Sequence, residues 1–238
     1  GISVQFKAGE VHGIIGPNGS GKSTLISALT RYHELTSGSV TLLGAEADKK
    51  PFKVARDGVT RVFQIPHLFE RVSVLDNVLT GMYRRDKYSI FDAILRTPRY
   101  LKANSRSVAE AKALLSLAGM LGMEELAAGS ISHGQKRLLE VIRAVATEPK
   151  ILILDEPATG LTQDEMHSLT NLIRTLAAGG MCVVLIEHNV AFLMDLADIV
   201  TVIQSGKVIA EGTPQAVQKD ERVLEAYLGN TDFSKELA

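Results

Sequence analysis

The sequence predicts an α/β fold: a parallel sheet carrying helices, interrupted by an all-helical insertion over residues 69–147. Three observations predict it. A short apolar run, Val11 to Ile15, enters Gly16-Pro17-Asn18-Gly19-Ser20-Gly21-Lys22-Ser23-Thr24, and a helix-like segment, Leu25 to Tyr32, leaves it. That order of strand, glycine-rich loop and helix opens a parallel α/β unit. Further on, Ile151 to Leu154 and Cys182 to Ile186 are continuous apolar runs, as strands buried on both faces would be. Between Ser73 and Thr147 the period is helical instead.

Taken in order, the chain opens on an alternation, with Ile2, Val4 and Phe6 apolar and Ser3 and Gln5 polar, that reads as a strand. The chain is already inside that strand at Gly1, so residues are expected upstream. Gly9-Glu10 turns into the strand before the loop. Gly38 to Leu43 is another strand, closed by Gly44; Asp48 to Pro51 is a polar break, and Thr60 to Gln64 a short strand ending at Pro66. In the insertion, Ser73-Val74-Leu75-Asp76 caps a helix running through about Leu79. Tyr83 to Tyr100 carries Ile90, Phe91, Ile94 and Leu95 at helical spacing among basic residues, the pattern of an amphipathic helix with a solvated basic face. Ser107 to Glu110 reads as a second cap, before a stripe of Val108, Ala111, Leu114, Leu115 and Ala118. Met120 and Met123 read as core fillers.

From Pro149 strands and helices alternate again. Thr162 to Glu165 caps a helix striped by Met166, Leu169, Ile173 and Leu176 and ended by Gly179-Gly180. A helix from Asn189 to about Asp195 follows the strand at Cys182. Ile199 to Ile203 and Lys207 to Ala210 pair around Ser205-Gly206. Thr213-Pro214 starts a small helix, Glu221 to Leu228 forms a last one, and the tail from Gly229 is polar. The resulting plan is a core of residues 1–68 and 148–230, a helical subdomain of 69–147 and a tail of 231–238.

Whole-chain properties narrow the function classes. The 238 residues fit one large domain or two small ones. A net charge of −1 gives no polybasic field for nucleic acid or anionic lipid. No apolar run approaches the ~20 residues that span a bilayer, and no secretory signal opens the chain. Cys182, the only cysteine, lies in an apolar run and reads as core; one cysteine excludes an internal disulfide, which fits a reducing compartment.

The loop at Gly16 fits the phosphate-binding pattern, Gly, four residues, Gly-Lys-Ser/Thr. Its glycines let the backbone approach an anion closely, and the amides from Gly19 to Thr24 can converge on it with the helix N-terminus behind them. Lys22 would reach the β- and γ-phosphates of a nucleotide and Ser23 would hold Mg²⁺. Asp155 and Glu156 end a buried strand at the edge where parallel sheets bind ligands. Asp155 suits the metal, and Glu156 suits an attacking water. Ser132-His133-Gly134-Gln135 is a capping box opening a helix striped by Leu138, Val141, Ile142 and Val145; such a helix end is also an anion site. His188 follows the strand after Glu156 and can reach toward a γ-phosphate. Gln64 can offer an amide oxygen to Mg²⁺ or the water.

Together these residues resemble an ATP-binding-cassette (ABC) ATPase, the nucleotide-binding subunit of an ABC transporter, in order over essentially the whole chain. Gly16 to Thr24 is similar to the Walker A motif, Gln64 to the Q-loop glutamine, and Ile131 to Gln135 to the family signature. Ile151 to Glu156 is similar to Walker B with its catalytic glutamate, Thr159 to Thr162 takes the place of the D-loop, and His188 that of the switch histidine. The resemblance implies a RecA-like phosphate-loop NTPase core with a small antiparallel β part and an inserted α-helical subdomain. It also implies ATP and Mg²⁺, the latter on Ser23, Gln64 and Asp155. Two such subunits would pair head to tail, with Ser132, Gly134 and Gln135 closing on the nucleotide held by the partner. Further implied are transmembrane permease subunits, a place on the cytoplasmic face of the inner membrane, and an extracytoplasmic solute-binding protein reached indirectly.

Three positions depart from the family pattern. His133 stands where a glycine is usual and is expected to point aside. Thr162 replaces an aspartate and serves as a helix cap. The adenine-stacking aromatic would lie upstream of Gly1. The segment Thr80 to Ser105, the run Leu185 to Asn189, Gly206 to Pro214 and the ending Glu225 to Gly229 are most similar to importers of branched-chain amino acids; the similar urea-importer ATPases share Ser132-His133-Gly134-Gln135, and the lipopolysaccharide-export ATPase also resembles the C-terminal part. A soluble ABC-type ATPase acting on DNA or ribosomes is disfavoured by the single cassette, the short insertion and the absent basic surplus. A regulator without turnover is disfavoured because Lys22, Asp155, Glu156 and His188 are all present.

Overall fold

The computed structural model describes residues 1–47, 50–64, 67–83, 85 and 89–228. In chain order the elements are β1 (Val11–Ile15), α1 (Lys22–Leu29), β2 (Thr41–Leu42), β3 (Ala45–Glu46), α2 (Pro51–Arg56), β4 (Val59–Val62), α3 (Val74–Met82), α4 (Ile90–Ile94), α5 (Pro98–Leu117) and α6 (His133–Val145). They continue with β5 (Ile151–Asp155), α7 (Gln163–Ala178), β6 (Cys182–Ile186), α8 (Val190–Leu196), β7 (Ile199–Gln204), β8 (Lys207–Gly212), α9 (Pro214–Val217) and α10 (Glu221–Leu228). The chain divides into two compact units. The first comprises residues 1–63, 150–158 and 173–238, the second 64–149 and 159–172. The sequence plan kept Gln64, 67–68, 148–149 and 159–172 with the core; here they group with the helical unit.

The first unit is built on a six-stranded sheet of order β4-β5-β6-β1-β7-β8. Every neighbouring pair is parallel except β7 and β8, which form an antiparallel hairpin. The central strands are β6, a continuous apolar run, and β1, the short run before the loop; all five residues of each are buried. On one face Ile14, Ile153, Val184, Ile186 and Ile203 form a core with Ile26 of α1 and Val54 of α2. Val183, Leu185 and Leu152, of alternate parity, are also fully buried, so both faces of the sheet are covered. This topology brings the C-terminal ends of β5, β6 and β1 side by side, and the chemistry-bearing residues follow those three ends.

The second unit packs α3 against α5 and α6. Ser73 caps α3, its hydroxyl accepting from the Asp76 amide at 3.0 Å. The buried Asn77 closes the turn before it: Oδ1 accepts from Phe69 N at 2.9 Å, and Nδ2 donates to the carbonyls of Phe69 and Ser73 at 3.1 and 2.9 Å. α3 comes close to α6 at Gly81, where a Cβ would overlap the Arg143 carbonyl oxygen and lie 2.9 Å from Ala146 Cβ. Backbone cannot retreat as a side chain tip can, so Gly81→Ala is expected to cost about 1–3 kcal/mol by overpacking. A thermal melt of the variant checks this; an unchanged Tm would contradict it.

Four expectations are corrected. Residues 2–6 keep alternating exposure, and Ile2 and Phe6 pack on the core, but they are not in a strand: among the described residues no ladder partner lies beside them. The strand expected over Gly38 to Leu43 shrinks to the two residues of β2, because Leu43 (φ 52°) and Gly44 (φ 85°) turn at once into β3. The single amphipathic helix expected from Tyr83 to Tyr100 is instead α4 and the start of α5. They are broken at Arg96 (φ 47°), with Thr97 and Pro98 capping the new helix. Within α4 and just beyond it, Phe91, Ile94 and Leu95 are 72, 70 and 73% exposed rather than packed. The cap expected at Ser107 lies inside α5, since the signal at Thr97-Pro98 starts the helix earlier; Ser107 is buried, along with Ala111, Leu115 and Ala118 of the predicted stripe. In addition, Pro51 starts α2, a helix the sequence reading passed over as a polar break. Asp48 and Lys49 of that break, Pro66, part of Tyr83 to Tyr100 and the tail from Gly229 lie outside the described residues.

Candidate functional site

Lys22, Ser23, Asp155, Glu156 and His188 all belong to the first unit, at the C-terminal ends of β1, β5 and β6. Gln64, Ser132, Gly134 and Gln135 belong to the second. Gln64 is exposed, two residues past β4. Pro17, Asn18, Gly19 and Thr24 complete the loop around the others.

The loop is tight at Gly16. A Cβ on Gly16 would overlap the Ile203 carbonyl oxygen and lie 2.7 Å from Ser20 Oγ. Gly21 caps α1 with φ 106°, a conformation open to glycine and costly to other residues. The Ser20 carbonyl accepts from Gly206 N at 2.8 Å, pinning the loop to the β7–β8 turn. Lys22 is buried and folded back on the loop: Nζ donates to Gly16 O at 2.6 Å and to Pro17 O at 3.1 Å. Burial lowers its pKa, while the nearby carboxylates of Glu156 and Asp155 work in the opposite direction. Ser23 and Thr24 are exposed on the first turn of α1, where the amides have no partner within the helix. Ser20 Oγ is buried with no hydrogen-bond partner.

At the end of β5 the two acids have different partners. Asp155 Oδ2 accepts from Arg61 Nη2 at 2.6 Å, an ion pair whose side chains are 16 and 13% exposed. Arg61 stands on β4, beside Ile153 of β5, and its guanidinium also lies 4.7 Å over the Phe63 ring. Glu156 takes a left-handed backbone, φ 48°, held by its amide's bond to Ile186 O at 2.9 Å. Its Oε1 accepts from His188 Nε2 at 2.6 Å. Glu156 and His188 are thus in direct contact.

Glu187, between β6 and His188, is buried and accepts from Ala158 N through Oε1 at 2.8 Å. Burial pushes its carboxyl up to about 7, and the charge of Glu156 adds to the shift. In the unfolded chain a glutamate ionises near 4.3. The stabilisation from a neutral Glu187 is therefore complete below that value and lost as pH rises through about 7. Glu187→Gln, which keeps an acceptor for Ala158 N, is expected to raise Tm above pH 7 and to flatten its fall between pH 5 and 8. Parallel Tm–pH curves for the two proteins would rule this out.

In the second unit Ser132 caps α6 with a full capping box: its hydroxyl accepts from Gln135 N at 3.1 Å and its amide donates to Gln135 Oε1 at 2.9 Å. His133 lies near the turn after β5, with Cε1 and Nδ1 3.5 Å from where a Gly160 Cβ would sit. Thr162 is the helix cap expected, its Oγ1 accepting from Glu165 N at 3.3 Å. Three residues escaped the sequence reading. Arg61 is a lone cation inside a strand, Glu187 a lone acid after one, and Glu165 was read only as part of a cap. Their roles come from neighbours distant in sequence, so no local signal marked them.

A glycine-walled loop with a buried lysine, leading into a helix from the central strand of a parallel sheet, and an acid pair at the next strand end but one define a phosphate-loop α/β protein. Comparison with known proteins narrows that class. Residues 1–159 match the family described as ABC transporter, and the chain belongs to that family. Residues 207–232 match a second one, the branched-chain amino acid ATP-binding cassette transporter. The chain is 34% identical over 230 residues to the high-affinity branched-chain amino acid transport ATP-binding protein LivG of Escherichia coli K12, covering 96% of this chain and 90% of the relative. BraF of Pseudomonas aeruginosa, whose name describes the same transport role, is 34% identical over 231 residues, 96% of this chain and 91% of its own. Among solved structures, an ATP-binding cassette from an ABC transporter is similar in its nucleotide-free and ADP conformations, each with TM-score 0.79, 31% identity and coverage of 95% of this chain and 91% of that one.

Proposed function

We propose that this chain binds and hydrolyses ATP to drive an ABC importer of branched-chain amino acids. The observation that carries the chemistry is the 2.6 Å pair of Glu156 and His188 in the same unit as the Lys22 loop. The solute class is supported by the names of the relatives and by the match over 207–232. That match takes in most of Gly206 to Pro214 and all of Glu225 to Gly229, two of the four stretches most similar to branched-chain importers.

The donor set fits a nucleotide triphosphate with a divalent cation: an ammonium, an unpartnered buried hydroxyl, a helix N-terminus and an acid at the strand end. Magnesium, which Ser23 and Asp155 would hold, would screen the phosphate charges. Lys22 leaves the carbonyls of Gly16 and Pro17 for the β- and γ-phosphate oxygens. Glu156 takes the proton of the attacking water, and His188 fixes the carboxylate's orientation through the bond it already makes. Asp155 stays paired with Arg61, which holds its carboxylate in place. Ser132, Gly134 and Gln135 act on the nucleotide of a second cassette, so each site is shared between two subunits. The chain then works as a peripheral subunit on the cytoplasmic face of the membrane, bound to permease subunits that an extracytoplasmic binding protein supplies. None of the described helices is long and apolar enough to cross a membrane, which accords with a peripheral place.

Mixing tests the shared site. A Ser132-defective chain combined with a Lys22-defective one in the assembled transporter is expected to give a rate that depends on which pair shares a site. Independent, additive rates would argue for a site within one chain.

A further inference from the structure

The N-terminus of α6 is already covered by an anion from this chain. Glu165, on the first turn of α7 and in the same unit as α6, reaches it with its carboxylate. Ser132 Oγ donates to Glu165 Oε1 at 2.8 Å. The other oxygen, Oε2, accepts from Thr162 N at 2.9 Å and from Thr162 Oγ1 at 3.1 Å. Gly134 is the floor of this contact: a Cβ placed there would overlap all three atoms of the carboxylate. Hydrogen bonds from the Thr162 amide first, and from the Ser132 hydroxyl next, hold the carboxyl below the usual glutamate range, so it is ionised at neutral pH.

Resting on the reading that Ser132 and Gly134 face the partner subunit's nucleotide, we propose that Glu165 is a resident stand-in for the γ-phosphate. Its carboxylate uses the donor and the glycine surface that an incoming phosphate needs, and it must leave before the two cassettes close. Two oxyanions cannot share one hydroxyl donor and one glycine face: their charges repel and their oxygens overlap. The partner's nucleotide therefore competes with Glu165, and closure needs a ligand strong enough to win. ATP, with a γ-phosphate aimed at α6, meets that condition, whereas ADP has no group to place there. The contact would hold empty and ADP-bound cassettes apart and set the ATP level at which they close.

The test uses the assembled transporter carrying Glu156→Gln, in which bound ATP is retained between closed cassettes. The readout is the ATP concentration for half-maximal retention of radiolabelled ATP. Glu165→Gln removes the charge but keeps an acceptor for Thr162 N. It is expected to lower that concentration by about 5-fold or more, within the ordinary range of coupling between sites, while the affinity of the isolated chain for a fluorescent ATP analogue stays the same. Glu165→Ala provides the same readout should the amide disturb the cap. An unchanged or raised ATP requirement in a folded variant would overturn the proposal and leave Glu165 a helix cap. Ser132→Arg separates the two readings. If it abolishes retention while Glu165→Gln changes nothing, the competition fails and the shared site stands; if Ser132→Arg leaves retention intact, both fail.

Discussion

Glu156→Gln is expected to lower ATP turnover by about 10²–10⁴-fold, the usual contribution of a general base, with ATP binding largely retained. The amide keeps the shape of the carboxylate and can still accept from His188 Nε2, now 2.6 Å from Glu156 Oε1, but it cannot take a proton from water. The backbone requirement at this position, φ 48° with a bond to Ile186 O, is the same for both side chains. The variant therefore isolates the chemical step from the fold. Phosphate release under saturating ATP and magnesium is the measurement, and a full rate would remove Glu156 from the mechanism. His188→Ala is the natural companion, since it leaves the acid in place and removes the group that points it.

Lys22→Ala is expected to weaken ATP binding by roughly 10–100-fold, the equivalent of losing hydrogen bonds from a charged donor. The lysine is buried, within reach of two loop carbonyls at 2.6 and 3.1 Å, and in the field of Asp155 and Glu156. Its removal takes away both a phosphate contact and the internal brace of the loop. Lys22→Met, which fills most of the volume, distinguishes the two: an equal loss in both variants assigns the effect to charge. Titration with a fluorescent nucleotide measures it, and an unchanged Kd would place the ammonium outside the binding reaction.

The parts of the fold legible in the sequence were those fixed by short-range rules. Ile151 to Leu154 of β5 and all of β6 are uninterrupted apolar runs, and that composition says both faces are buried before any partner is known. The cap at Ser73, the box at Ser132 and the hairpin at Ser205-Gly206 are likewise local. Legibility failed where the deciding contact was remote or where two local signals competed. Ser107 looked like a cap and is a buried residue inside α5 because Thr97 and Pro98, ten residues earlier, had already started the helix. Ile2 to Phe6 alternates correctly and still lies outside any strand, since a ladder needs a neighbour as well as a pattern. In the site, the loop lysine and the two acids followed from spacing. Arg61 on Asp155, Glu187 on Ala158 N and Glu165 on Ser132 did not, because each is a pairing across 29 to 94 positions of sequence.

The backbone at Glu156 carries one further consequence. A left-handed conformation costs a side-chain-bearing residue about 1–2 kcal/mol that glycine would not lose. Glycine at this position would make a sturdier protein with no acid to meet the water. Selection for heat resistance alone would thus push position 156 toward glycine, and the proposed ATPase role is what a glutamate there would serve.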